Sequence, residues 1–295
     1  MPSGIASAEA APDFEATNVA PPAPPKPKPA PNPKTESNKP KTTPKPSKPK
    51  APPPPPPPPI VVDLELVMLM DVSASVDETE FALQRLGYVN AFRDPELHTL
   101  IESRGGIAVN MIQWSGPRQQ RGTGWMILRT ADDCVRFAGR VAKFDRKFAQ
   151  DTVMARALGS AWWSLKNNRK GRAKIEGKRL LIDVSGDGVC ENQYFYATGI
   201  GGKYSDGTPM DSKYYGWRWD NVQKRLAQDN IIVNGISIGD TPGLKEWYAS
   251  DVARGEFSFA MHAETFEAFN EAIKKKLLRE LATPIPETEI STAYD

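Results

Sequence analysis

From residue 60 onward, apolar and polar positions fall into blocks that switch between two periods. Residues 64–70, LELVMLM, form an almost continuous apolar run, which fits a strand buried on both faces, because a strand with one wet face would alternate. Residues 78–93 instead carry Phe81, Tyr88, Val89 and Phe92 at helical spacing, with Asp77 placed to cap that helix and Glu80 to reach back to the cap. After the Gly105-Gly106 turn, IAVNMIQW over residues 107–114 reads as a second strand, and WMILR over 125–129 as a short antiparallel edge strand. Helical spacing returns through Val135, Phe137, Ala138 and Val141, and again through Ala155, Leu158, Ala161 and Trp162, where Asp151 or Thr152 would be the natural cap.

KRLLIDVS over 178–185 is the next strand, followed by a helix over 220–229, a strand over 231–238, a helix over 243–250 and a weaker last strand over 256–260. A final helix over 265–281 places Phe266, Phe269, Ile273 and Leu277 on one face and is stopped by Pro284; Lys274, Lys275 and Lys276 read as its wet face. Strands alternating with helices predict an α/β fold, a doubly wound, mostly parallel six-stranded sheet with helices on both faces.

Composition divides the 295 residues sharply. Residues 1–59 hold 22 of the 28 prolines and one aromatic, Phe14, so they bury too little apolar surface to offset the entropy of ordering. They are expected to form a disordered Pro/Lys-rich tail, of which residues 21–59, ending in eight consecutive prolines, make a polyproline II spacer on the order of 100 Å long. Residues 60–283 make one domain and 284–295 a C-terminal tail. The N-terminal tail carries eight lysines against four acids, so with a chain total of +2 the remainder stands near −2. A domain of that balance lacks the basic stripe of a nucleic-acid binder. The lysine-rich tail could meet an anionic surface or a polyproline-binding module. Two cysteines, Cys134 and Cys190, fit neither a disulfide framework nor zinc-finger spacing; Cys134 is expected to be a small buried residue. No apolar stretch is long enough to span a bilayer, and residues 1–20 lack the basic start and apolar core of a signal peptide, which leaves the compartment open between periplasmic or secreted and cytoplasmic.

Candidate chemistry gathers where strands end. Asp71, Ser73 and Ser75 follow the first strand directly, and in open α/β sheets ligands bind at that edge. One carboxylate and two hydroxyls on a tight turn are hard oxygen donors suited to a magnesium-class cation. They are equally a polar turn. Asp187, flanked by Gly186 and Gly188, ends a second buried strand, and Thr152 is either a helix cap or a third hydroxyl for the same ion. His98 and His262 stand apart from each other and from any acid pattern. The aromatic insertion of residues 189–219 contains Tyr194, Tyr204, Tyr215 and Trp217, which read either as a cover over the sheet edge or as partner-recognition anchors.

The motifs DVSASVD, WSG and DVSGDG, in this order and on these elements, resemble a von Willebrand factor A domain, nearest to a bacterial family of unknown function; the likeness covers about residues 62–282. The resemblance implies a metal-ion-dependent adhesion site in which Ser73, Ser75 and Thr152 give hydroxyl oxygens and Asp71 and Asp187 act directly or through water. It implies Mg²⁺, with Mn²⁺ or Ca²⁺ as alternatives, and one coordination position left for a carboxylate of a protein partner. Thr152 lies in DTVMA, where no glycine-bearing loop surrounds it, which is a departure from the family pattern. A binding module is therefore the expected function. The alternatives are a metal-assisted hydrolase using Asp71 and Asp187, for which no catalytic base or nucleophile pair is visible, and a metal-free structural domain.

Overall fold

The computed structural model describes residues 55–171, 173–189 and 219–284. The tail before residue 55, Cys190, the proposed anchors Tyr194, Tyr204, Tyr215 and Trp217, and residues 285–295 lie outside the described residues.

Strand β1 (Ile60–Asp71) is buried from Val62 onward and is flanked by parallel β2 (Ile107–Trp114) and parallel β6 (Ala173–Gly186). Beyond β6 lie β7 (Ile232–Ile238) and β8 (Ala260–Ala263), both parallel. The short strands β3 (Gln120–Gly122) and β4 (Met126–Leu128) share the antiparallel edge against β2, and β5 (Arg169–Lys170) folds back on the start of β6. The order β3-β2-β1-β6-β7-β8 gives the six expected lanes.

Side chains of β1 alternate between two cores. Leu64, Leu66, Met68 and Met70 face the layer of α1 (Glu78–Ala91), α2 (Pro95–Ser103), α3 (Ala131–Ala142) and the closing helix α7 (Phe266–Ala282). Val67 and Leu69 face α4 (Met154–Lys166) and α5 (Trp219–Gln228). A strand clamped between two helical layers has no wet face to alternate toward, which explains its apolar run. The capping box on α1 forms as expected: Glu80 N donates to Asp77 Oδ1 and Asp77 N to Glu80 Oε2, each at 2.8 Å. Cys134 is buried and free, and burial pushes its thiol up to about 12.

Several elements differ from the expectation. Helix α2 was not foreseen, although Asp94 caps it and Pro95 opens it. The last strand is Ala260–Ala263; residues 256–259 form a turn, with Gly255 and Phe257 in the left-handed region at φ +99° and +61°. The helix expected over 243–250 begins as α6 (Leu244–Trp247) and passes into a π-helical turn, Tyr248–Val252. Trp219, read as part of the aromatic insertion, is a buried residue of α5 packed on Trp247. Lys276 is not on a wet face: it is fully buried against Asp183 and Glu280. Among the described residues, no helix is long and apolar enough to cross a membrane.

Candidate metal centre

The chain leaves β1 toward β2 on one side and later returns to β6 on the other, so the C-terminal ends of β1 and β6 form the point where the sheet changes direction. In open α/β sheets such a change of direction is where ligands bind. Both carboxylates singled out from the sequence sit at it, Asp71 as the last residue of β1 and Asp187 just past β6; Met70 pairs with Ser185 across the two strands.

A chain of hydrogen bonds joins the loops. Ser73 N donates to Asp71 Oδ1 at 2.8 Å, which folds the turn back on its own strand. The Ser73 and Ser75 hydroxyls lie 3.1 Å apart, and Ser75 Oγ donates to Asp187 Oδ1 at 2.8 Å. Asp71, Ser73, Ser75 and Asp187 are thus brought together around one corner.

Thr152 arrives from a different element. Ala74 N donates to Gln150 O at 2.8 Å, and the loop beyond it is pinned by Ser115, whose hydroxyl accepts from Gln150 N at 2.9 Å and donates to Asp151 O at 3.1 Å. The side chain of Thr152 lies against Gly188: a methyl added there would stand 3.6 Å from Thr152 Oγ1. Neither Thr152 nor Asp151 caps α4. The N-cap is Val153, with no side-chain cap bond.

Electrostatics mark the corner as short of positive charge. Burial first, and then the neighbouring Asp187, push Asp71 up to about 8, against the hydrogen bonds from Ser73 and the field of Arg146. Burial likewise raises Asp187, against its bond from Ser75. Arg146 is the nearby cation named in that balance, but its guanidinium is occupied elsewhere, donating to the carbonyls of Ser73 and Val76 and to Glu78 Oε1. It braces the loop without neutralising the acids.

These residues fit a hard divalent ion. Asp71 Oδ2 is buried with no hydrogen-bond partner, Gly186 leaves room where a side chain would intrude on it, and the donors are carboxylate and hydroxyl oxygens. Among the described residues, no three His, Cys, Asp or Glu side chains come together, so a soft-metal cluster is not built there. His98 Nε2 lies 2.9 Å from Phe92 O and His262 Nδ1 3.0 Å from Ser237 Oγ, neither within this hydrogen-bond chain.

Sequence reasoning missed the supports of the corner. Ser115 was in the WSG motif, and only its contacts show that it pins the Thr152 loop. Arg146 carried no local signal.

A family described as "Protein of unknown function (DUF1194)" matches residues 61–199 and 211–285. The chain belongs to this family. Its strand order, β3-β2-β1-β6-β7-β8, puts the Asp71 and Asp187 loops at the change of direction of a mostly parallel sheet. No curated protein matches the chain in sequence. Among solved structures, the chain is similar to the pilus adhesin SpaC of Lactobacillus rhamnosus GG in its open conformation, at 13% identity and a TM-score of 0.49 over 75% of this chain and 30% of that one. It is also similar to proximal thread matrix protein 1 of the mussel byssus with a zinc-occupied metal-ion-dependent adhesion motif, at 14% and 0.48 over 76% and 49%. A third likeness is to manganese-loaded TRAP of Plasmodium vivax, at 18% and 0.41 over 74% and 73%. The chain therefore spans under a third of SpaC and about half of the mussel protein, and the zinc and manganese belong to those structures.

Proposed function

We propose that this domain is a metal-dependent, non-catalytic protein-binding module. In this reading Asp71, Ser73, Ser75, Thr152 and Asp187 hold a divalent cation, Mg²⁺ first, at the C-terminal edge of the sheet, and a carboxylate of the partner completes its coordination. The cation supplies a positive bridge between two sets of acidic oxygens. This chain's residues do the rest: Ser73 N and Ser75 Oγ orient the two carboxylates, Arg146 fixes the loop that carries the serines, and Ser115 holds the Thr152 loop against it.

One observation carries the reading. Two carboxylates from strands far apart in sequence face one corner joined through Ser73 and Ser75, and burial raises both, with Arg146 opposing this only in part at Asp71. Two acids and three hydroxyls leave an ion with both charge and coordination to be completed from outside, as oxygen-only sites with few carboxylates do.

Asp71→Ala in the full chain is expected to keep a cooperative melt and to lose both Mg²⁺ uptake and any partner captured in Mg²⁺ but not in EDTA. A wild-type chain that gives no heat and no change in melting temperature on Mg²⁺ titration would refute the reading, since a ligand that binds only the folded state must stabilise it.

A further inference from the structure

Gly186 is the last residue of β6, in the lane beside Asp71. A methyl group placed on it would lie 2.6 Å from Asp71 Oδ2 and 2.9 Å from the hydroxyl of Tyr248. Both oxygens are buried without a hydrogen-bond partner, and both converge on that one point. Among the described residues no other pair of unsatisfied side-chain oxygens meets over a shared glycine in this way.

The route by which the phenol reaches this point is built from several independent pieces. Tyr248 opens the π-helical turn, closed by Ala253 N donating to Tyr248 O at 3.0 Å, and single π turns widen a helix where a side chain must be re-aimed. Its ring passes over Gly235, where a methyl would stand 2.6 Å from Cδ1; Gly235 sits beside Val184 in the adjacent lane. Trp247 brackets the ring edge-on at 5.4 Å and stacks in turn toward Trp219 at 5.6 Å. Two glycines on neighbouring strands and an aromatic bracket therefore clear a lane that ends at Asp71. Phenylalanine would fill the same lane without an unpaired buried hydroxyl, which costs about 1–3 kcal/mol.

We propose that Tyr248 is a positioning residue of the cation site: its hydroxyl is linked to Asp71 Oδ2 through one bridging water and fixes the carboxylate plane from behind. Ser73 N already holds Oδ1, so the two bonds together leave Asp71 one orientation, with its remaining lone pairs toward the Ser73–Ser75 loop. The phenol acts through Asp71 and is not itself a ligand. This rests on the metal-binding reading above and adds a residue to it.

The test is Mg²⁺ calorimetry on the full chain, stripped of metal, for the wild type, Tyr248→Phe and Gly235→Ala, with melting temperatures taken in EDTA. Tyr248→Phe is expected to keep a cooperative melt in EDTA and to bind Mg²⁺ about 10- to 100-fold more weakly, the usual loss when a partner of a ligating group is removed. Gly235→Ala, which displaces the ring and removes no oxygen, should weaken Mg²⁺ in the same sense. Equal Mg²⁺ affinity in wild type and Tyr248→Phe overturns the inference and leaves the metal site standing. A weaker EDTA melt with unchanged affinity also overturns it, since that is the mark of a purely packing role. If the wild type takes up no Mg²⁺, the underlying reading and this inference fall together.

Discussion

Single atoms decide the candidate site. Gly186→Ala would push a methyl to within 2.6 Å of Asp71 Oδ2 and 3.1 Å of Asp71 Cβ, in a corner with no slack. It is expected to cost about 1–3 kcal/mol, as overpacking does, read as a lower urea midpoint at unchanged slope. Thr152 separates two roles that its sequence context left open. Because α4 takes no cap bond from it, Thr152→Ala should leave stability nearly unchanged while weakening Mg²⁺, and Thr152→Ser, which keeps the hydroxyl, should restore the affinity in calorimetry. Asp71, Ser73 and Ser75 could be read directly because they fall within five residues of one strand end, and Asp187 because glycines flank it. Tyr248 could not. Its importance arises from space left by Gly186 and Gly235, and no local pattern links those positions.

At the scale of elements, the clearest lesson is α7. Three consecutive lysines at its middle look like a solvated face, yet Lys276 is fully buried, with Asp183 and Glu280 as its partners and Phe259 nearby. The helical period already held the answer. Lys276 follows Phe269 and Ile273 by two turns and one turn, so it shares their stripe, and residue type was given more weight than spacing. Its ammonium faces two carboxylates: Nζ lies 2.5 Å from Glu280 Oε1, Asp183 is in contact, and Asn234 Nδ2 donates to Glu280 at 2.9 Å. Lys276→Met is expected to destabilise by about 3–5 kcal/mol, because it strands buried acids without a counter-charge. The triple variant Lys276→Met, Asp183→Asn, Glu280→Gln should recover most of that loss in urea unfolding. Recovery absent from the triple variant would mean that the lysine acts mainly through packing of its stem.

For the whole molecule, the buried acids set how stability depends on pH. Asp71 is pushed up to about 8 and Asp183 to about 7, from an ordinary value of 3.8, burial being the first cause in both. Folded-state values above the unfolded ones mean that the native chain holds the extra protons. Their contribution is fully present below about pH 4 and is lost as pH rises through 7 and 8. In EDTA the melting temperature should therefore fall between pH 5 and 9 through these two groups. With Mg²⁺ the trend at Asp71 reverses, because the ion takes the deprotonated carboxylate, so the stabilisation it gives should grow over the same range. At a hundredfold excess over the dissociation constant that gain is about 2.7 kcal/mol. Matched melts in EDTA and Mg²⁺ across this range check both signs.

Read alone, the sequence determined the class of fold, most of its longer strands and helices to within a few residues, and the two acids that end β1 and β6. The reason is that period and strand-end chemistry are local and survive in one dimension. Tertiary structure decided the remainder: the edge shared by β3 and β4, the burial of Lys276, the absence of a side-chain cap on α4, and the convergence of Tyr248 and Asp71 on Gly186. Each of these depends on which distant residues leave room or supply charge, and that information exists only once the strands lie side by side.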